Sequence, residues 1–77
     1  MYEAVNGIEI GKRLKGLRQE AGMTTFELGK ALGISTSAVT MYETGNRIPR
    51  DEIKVQIAEF FGQPIESIFY PQKSDKS

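Results

Sequence analysis

The sequence predicts an all-α domain built as a compact bundle of five short helices. Three observations predict it. Apolar residues recur at helical spacing, as at Ile10, Leu14, Leu17 and Ala21. Glycines stand where those periodic stretches stop, at Gly22, Gly33 and Gly62, positions at which a helix can end with a positive φ. No segment carries the alternation and tight-turn chemistry of a β-hairpin.

Each element has its own signal. Asn6 followed by Glu9 marks the start of a helix over 7–21, closed by Gly22. Gly11 and Gly16 each weaken that helix by about 1 kcal/mol relative to alanine, so packing must hold it. Thr24 and Glu27 have the spacing of a capping box, which starts a helix over 25–32. Its apolar residues are Phe26, Leu28, Ala31 and Leu32. Ser35 is the next N-cap, for a helix over 36–43 with Val39 and Tyr42 on one face. The turn-rich stretch Thr44-Gly45-Asn46-Arg47-Ile48-Pro49 follows as a loop. A fourth helix over 51–61 turns Ile53, Ile57, Ala58 and Phe61 to the core, with Asp51 and Glu52 at its positive end. Pro64 suits the first position of a fifth helix over 64–69. Residues 1–70 thus read as one domain and 71–77 as a polar, flexible tail.

Composition excludes several classes of function. The 77 residues include no cysteine and no histidine. That removes thiolate ligands, the commonest zinc ligand and the usual general base at neutral pH. Catalysis would need paired carboxylates in a cleft, and the acids are scattered over the helices, so neither an enzyme nor a cofactor or metal is expected. No apolar run nears the roughly 20 residues of a membrane span. The first residues lack the apolar core of a secretory signal, so the expected location is the cytoplasm.

The informative stretch is Thr24 to Pro49. Two short helices are joined by Gly33-Ile34-Ser35, a connection tight enough to force a steep crossing. Gly29 falls where the two backbones approach most closely. The second of these helices exposes Thr36, Ser37, Thr40 and Met41 opposite Val39 and Tyr42. A DNA major groove admits one α-helix, and short hydroxyl side chains can reach base edges or a thymine methyl.

The run IGKRLKGLRQEAGMTTFELGKALGISTSAVTMYETGNRIP resembles the Cro/C1-type helix-turn-helix of phage repressors and of the Xre family of bacterial regulators. The resemblance extends from about Ile10 to Phe69. Its most specific parts are the stretch from Gly22-Met23-Thr24 through Glu27-Leu28 to Leu32-Gly33-Ile34-Ser35, and Tyr42-Glu43 with Gly45, Arg47 and Pro49. It implies a lambda-repressor-like fold. It also implies base reading by Thr36, Ser37, Thr40 and Met41. Phosphate contacts are implied for Thr25, Thr44, Asn46 and Arg47, with Arg50 adding to them. Glutamine is usual in the family where Thr25 stands, so the reach there is shorter. Arg18 and Glu43 match a salt bridge that ties the first helix to the end of the reading helix. Lys12, Arg13, Lys15 and Lys30 are either a solvated face or, for one or two of them, neighbours of the DNA backbone. Two departures stand out. Lys54 lies where relatives often bury an aliphatic side chain, a role that Ile53 and Ile57 are expected to take over. Gln63 lies where an apolar residue is common.

Ten basic and ten acidic residues cancel. The bases Lys12, Arg13, Lys15, Arg18, Lys30, Arg47 and Arg50 gather in residues 11–50, whereas Asp51, Glu52, Glu59 and Glu66 fall in the C-terminal third. A neutral chain offers few phosphate contacts per subunit, so binding as a homodimer to two half-sites is expected. Phe60, Ile65, Phe69 and Tyr70 are the expected dimer surface; Ile65 and Phe69 also close the core, and Tyr2 and Val5 can join either use. The function these readings predict is a sequence-specific, double-stranded-DNA-binding transcriptional regulator. The expected mode is repression from a palindromic operator, controlled by concentration, a regulatory protein partner or proteolysis. The alternative is a protein-interaction module on the same fold, such as an antitoxin or anti-repressor-like partner.

Overall fold

Side-chain caps decide where the first three helices begin. Asn6 Oδ1 accepts the N–H groups of Ile8 and Glu9 at 2.9 and 3.3 Å. Thr24 and Glu27 form the reciprocal capping box, at 2.9 and 3.0 Å. Ser35 Oγ accepts the Ala38 N–H at 3.0 Å. The computed structural model describes residues 6–70 and contains α1 (Gly7–Glu20), α2 (Thr25–Leu32), α3 (Thr36–Thr44), α4 (Asp51–Phe61) and α5 (Ile65–Phe69). The expected tail over 71–77, and Tyr2 and Val5, lie outside the described residues.

The core joins all five helices through Ile10, Leu14, Leu28, Leu32, Val39, Tyr42, Ile57, Ala58, Ile68 and Phe69. Burying each large member fully contributes roughly 1.5–3 kcal/mol. The helix α3 packs against both α1 and α2, whereas α5 closes against α4 and α1. Two glycines permit this closeness. A Cβ on Gly29 would sit 2.9 Å from the Ile34 carbonyl oxygen, which is the close approach expected at the α2–α3 turn. A Cβ on Gly11 would overlap the carbonyl groups of Tyr42 and Glu43, so α1 lies directly on the last turn of α3.

The structure adds to the sequence reading and corrects it at several positions. Of the apolar residues of α2, Phe26 is 61% exposed, and Lys30 Nζ lies 6.0 Å from its ring centroid. The buried stripe of α2 is Leu28, Gly29 and Leu32, and Phe26 is roughly 160° around the helix from Leu28. Ala31 is exposed as well. Lys54 is not replaced by its neighbours but is itself buried. Its stem lies in the core, and its Nζ donates to the Tyr70 hydroxyl at 2.7 Å and sits 4.7 Å from the Tyr70 ring centroid. A buried ammonium needs such partners, and the apolar stem makes the position usable for lysine. Phe69 is fully buried, so it has no surface to offer a second subunit. The helix α3 also runs one residue further than expected and takes Thr44 out of the loop.

Candidate nucleic-acid interface

The outward face of α3 bears hydroxyls. Thr36, Ser37, Thr40 and Thr44 are exposed, while Val39 and Tyr42 are buried beneath them. Thr36, Thr40 and Thr44 are spaced four residues apart, so they form one stripe with Ser37 beside it. Met41 is partly buried and stands at the edge of that face. Ser35 Oγ accepts the Ala38 N–H as the cap, which leaves its own O–H as a donor beside this face.

Thr44 differs from the other three. Its hydroxyl donates within the helix, to the Thr40 carbonyl at 2.9 Å and the Met41 carbonyl at 3.3 Å. A phosphate oxygen only accepts hydrogen bonds, so Thr44 can donate to one only after releasing the helix. Beyond it, Gly45 takes a φ of 83° and turns the chain. The backbone N–H groups of Asn46 and Arg47 then both return to the Met41 carbonyl, at 3.0 and 3.2 Å. The loop is thereby held against the end of α3 with the side chains of Asn46 and Arg47 exposed. Arg50 is exposed at the N-cap of α4, one residue past the buried Pro49. Thr25 is the first residue of α2, partly buried, at a terminus whose orphan N–H groups and dipole favour an anion.

One guanidinium fixes the mounting of α3. Arg18 Nε meets Glu43 Oε2 at 2.6 Å, and Nη2 meets Oε1 at 3.0 Å, a bidentate pair. Both side chains are largely buried, at 12% and 7% exposure. The hydrogen bond to Glu43 raises the Arg18 pKa above its ordinary value; burial opposes the shift and the nearby negative charge adds to it. The third contact was not foreseen. Arg18 Nη1 donates to the Met23 carbonyl at 2.8 Å, just before α2 begins. A single side chain of α1 therefore holds the end of α3 and the approach to α2 together.

The remaining cations separate. Arg13 reaches α5, where Nη1 lies 3.5 Å from the Ser67 carbonyl. Lys12, Lys15 and Lys30 are exposed. Of the residues expected at a dimer surface, Phe60 is 45% exposed and packs edge-on against Phe61, with centroids 5.0 Å apart. Ile65 and Tyr70 are partly buried, the latter engaged with Lys54. Among the described residues no cluster of acidic side chains could hold a metal ion, and no helix is long and apolar enough to cross a membrane.

Two short helices joined through a left-handed glycine and an N-capping serine, the second braced at its far end and exposing a polar face, define a helix-turn-helix domain. Residues 9–67 match the model of the helix-turn-helix domain family, and the chain belongs to that family, within its Cro/C1-type branch. It is 37% identical over 57 residues to an HTH-type transcriptional regulator of Methanocaldococcus jannaschii, which covers 74% of this chain and 86% of that one. It is 33% identical over 63 residues to a second such regulator, of Bacillus subtilis, covering 82% of this chain and 91% of that one. A putative HTH-type transcriptional regulatory protein of Pyrococcus horikoshii is 38% identical over 55 residues, which are 71% of this chain but 18% of the longer protein. The chain thus spans less than a fifth of the Pyrococcus relatives it matches. These matched relatives are all named as HTH-type transcriptional regulators or regulatory proteins.

Solved structures share the fold. The LexA repressor of Eubacterium rectale superposes with a TM-score of 0.82 at 18% identity, over 94% of this chain and 77% of that one. The P22 c2 repressor, solved with a synthetic operator, gives 0.74 at 20% identity, over 77% and 89%. The restriction-modification controller protein C.AhdI of Aeromonas hydrophila gives 0.74 at 24% identity, over 80% and 94%. All-α architecture and lambda-repressor-like topology are therefore those expected from the sequence.

Proposed function

We propose that the chain is a sequence-specific binder of double-stranded DNA that represses transcription from a palindromic operator as a homodimer in the cytoplasm. The observation that carries this reading is the exposed hydroxyl face of α3, braced from behind by Arg18. In the proposal Thr36, Ser37 and Thr40 meet base edges in the major groove, and Met41 meets a thymine methyl from the margin of the face. Phosphates are held by Thr25 with the α2 N-terminus, by Asn46 and Arg47 in the loop, and by Arg50; Thr44 joins them only when its hydroxyl leaves the helix. Pairing of two copies through Phe60, Ile65 and Tyr70 supplies the affinity that one neutral subunit lacks.

Selection of bound sequences from random duplexes tests the reading. The expected product is a two-fold symmetric consensus whose affinity falls steeply with salt. Replacing Thr36 and Ser37 together by alanine should erase the sequence preference while leaving the fold intact. A preference left unchanged by this double substitution would remove the first turn of α3 from the reading role. Binding no tighter than about 10⁻⁴–10⁻⁶ M on every duplex would favour the protein-interaction reading instead.

A further inference from the structure

We propose that the groove between α1 and α5 is a binding site for a small zwitterion of amino-acid or short-peptide type. Two residues that the fold does not require meet in this groove. Gly16 lies inside α1, yet it has no positive φ, and a Cβ there would meet nothing within 4 Å. Alanine would serve the helix better. Gln63 lies just after α4 and is exposed, with its Oε1 3.4 Å from the Ser67 hydroxyl. Both line one open groove of about 250 Å³.

The rest of the lining explains the choice of ligand. Leu17 and the buried Ile68 give it an apolar floor. Arg13 and Glu20 stand at its two ends on α1, seven residues or roughly 10 Å apart along the axis. Arg13 spends one N–H on a long bond to the Ser67 carbonyl, which leaves most of its donors for a carboxylate. Glu20 can take an ammonium at the other end. The Ser67 hydroxyl is bound to Pro64 and Gln63 Oε1, so the amide N–H groups of Gln63 are the free polar donors of the wall. An apolar helix laid here would cover both charges without answering them, whereas a zwitterion answers both. The site lies on the flank of α1 opposite Gly11 and is independent of how α3 meets DNA.

The test is an amide-resolved NMR titration of the whole chain with the dipeptide leucylglycine, beside a leucylglycine blocked at both ends. The expected result is a saturable shift of Gly16, Leu17, Gln63 and Ser67 with the free dipeptide and none with the blocked one. Gly16→Leu should fill the groove and abolish the shift while the protein stays folded. Arg13→Gln and Glu20→Gln should each weaken binding about threefold to fivefold, the effect of losing one exposed charge contact. No saturable shift, or one that persists in Gly16→Leu, overturns the proposal. So does a Gly16→Leu chain whose 71–77 amides move or whose sedimentation changes, because the groove would then be occupied by the chain's own C-terminal residues or by a second copy.

Discussion

The α1–α3 half of the molecule and the α4–α5 half are held in different ways. In the first, each helix begins at a side-chain cap, and Arg18 adds two directed hydrogen bonds to α3 and one to the segment before α2. In the second, neither helix has a side-chain cap, and α5 is five residues long. Apolar burial of Ile57, Ile68 and Phe69 does most of the holding there, with Lys54 and Tyr70 as the main polar tie. The difference teaches where precision is placed. Burial is tolerant of small rotations, whereas a bidentate pair fixes an orientation. The half that carries the hydroxyl face is the half fixed by geometry.

The sharpest way to break this contrast is Glu43→Ala. It leaves a largely buried guanidinium with one partner and should lower stability by roughly 3–5 kcal/mol, read by urea unfolding. Unchanged unfolding would mean that the first half is also held by burial alone. Gly11→Ala comes next. Its methyl would force α1 off the Tyr42 and Glu43 carbonyls, at a cost of about 1–3 kcal/mol in the same assay. Gly16→Ala should do the reverse and stabilise by about 1 kcal/mol, because nothing crowds that position. Lys54→Met should have the smallest effect, within about 1 kcal/mol of the parent, since it keeps the stem and removes the buried charge. A loss as large as that of Glu43→Ala would show the second half to be geometrically fixed too.

The pH dependence of the brace follows from the raised Arg18 pKa. A cationic group raised on folding gives its stabilisation in full below its ordinary pKa and loses it only as pH climbs through the folded value. The Arg18 contribution should therefore be flat from about pH 6 to 9 and decline only in strong alkali. Comparing the parent with Arg18→Met across that range checks it, and a difference that shrinks near neutrality would contradict the assignment.

What the sequence made legible was whatever is local. Thr24 with Glu27, and Ser35, act on amides three residues away, so their spacing alone reveals them. Gly29 was legible because the turn it faces is only a few residues on. The pairing of Arg18 with Glu43 came through the resemblance. The Met23 contact left no trace, since a carbonyl acceptor is the same in every residue. Gly11 read as a weak point in a helix until the backbone lying against it was known. The exposure of Phe26 and the burial of Lys54 share one reason for escaping the sequence: neighbours distant in the chain decide which stripe of a helix is covered, whatever the residue type.

Because Arg18 grips both the approach to α2 and the end of α3, neither helix can be retilted by itself. Thr36, Ser37 and Thr40, by contrast, are exposed and take no part in that grip. The domain is in this sense a fixed handle with an interchangeable blade. On the proposed reading of DNA by α3, the side chains of this face can be exchanged for new targets without touching the frame that holds them.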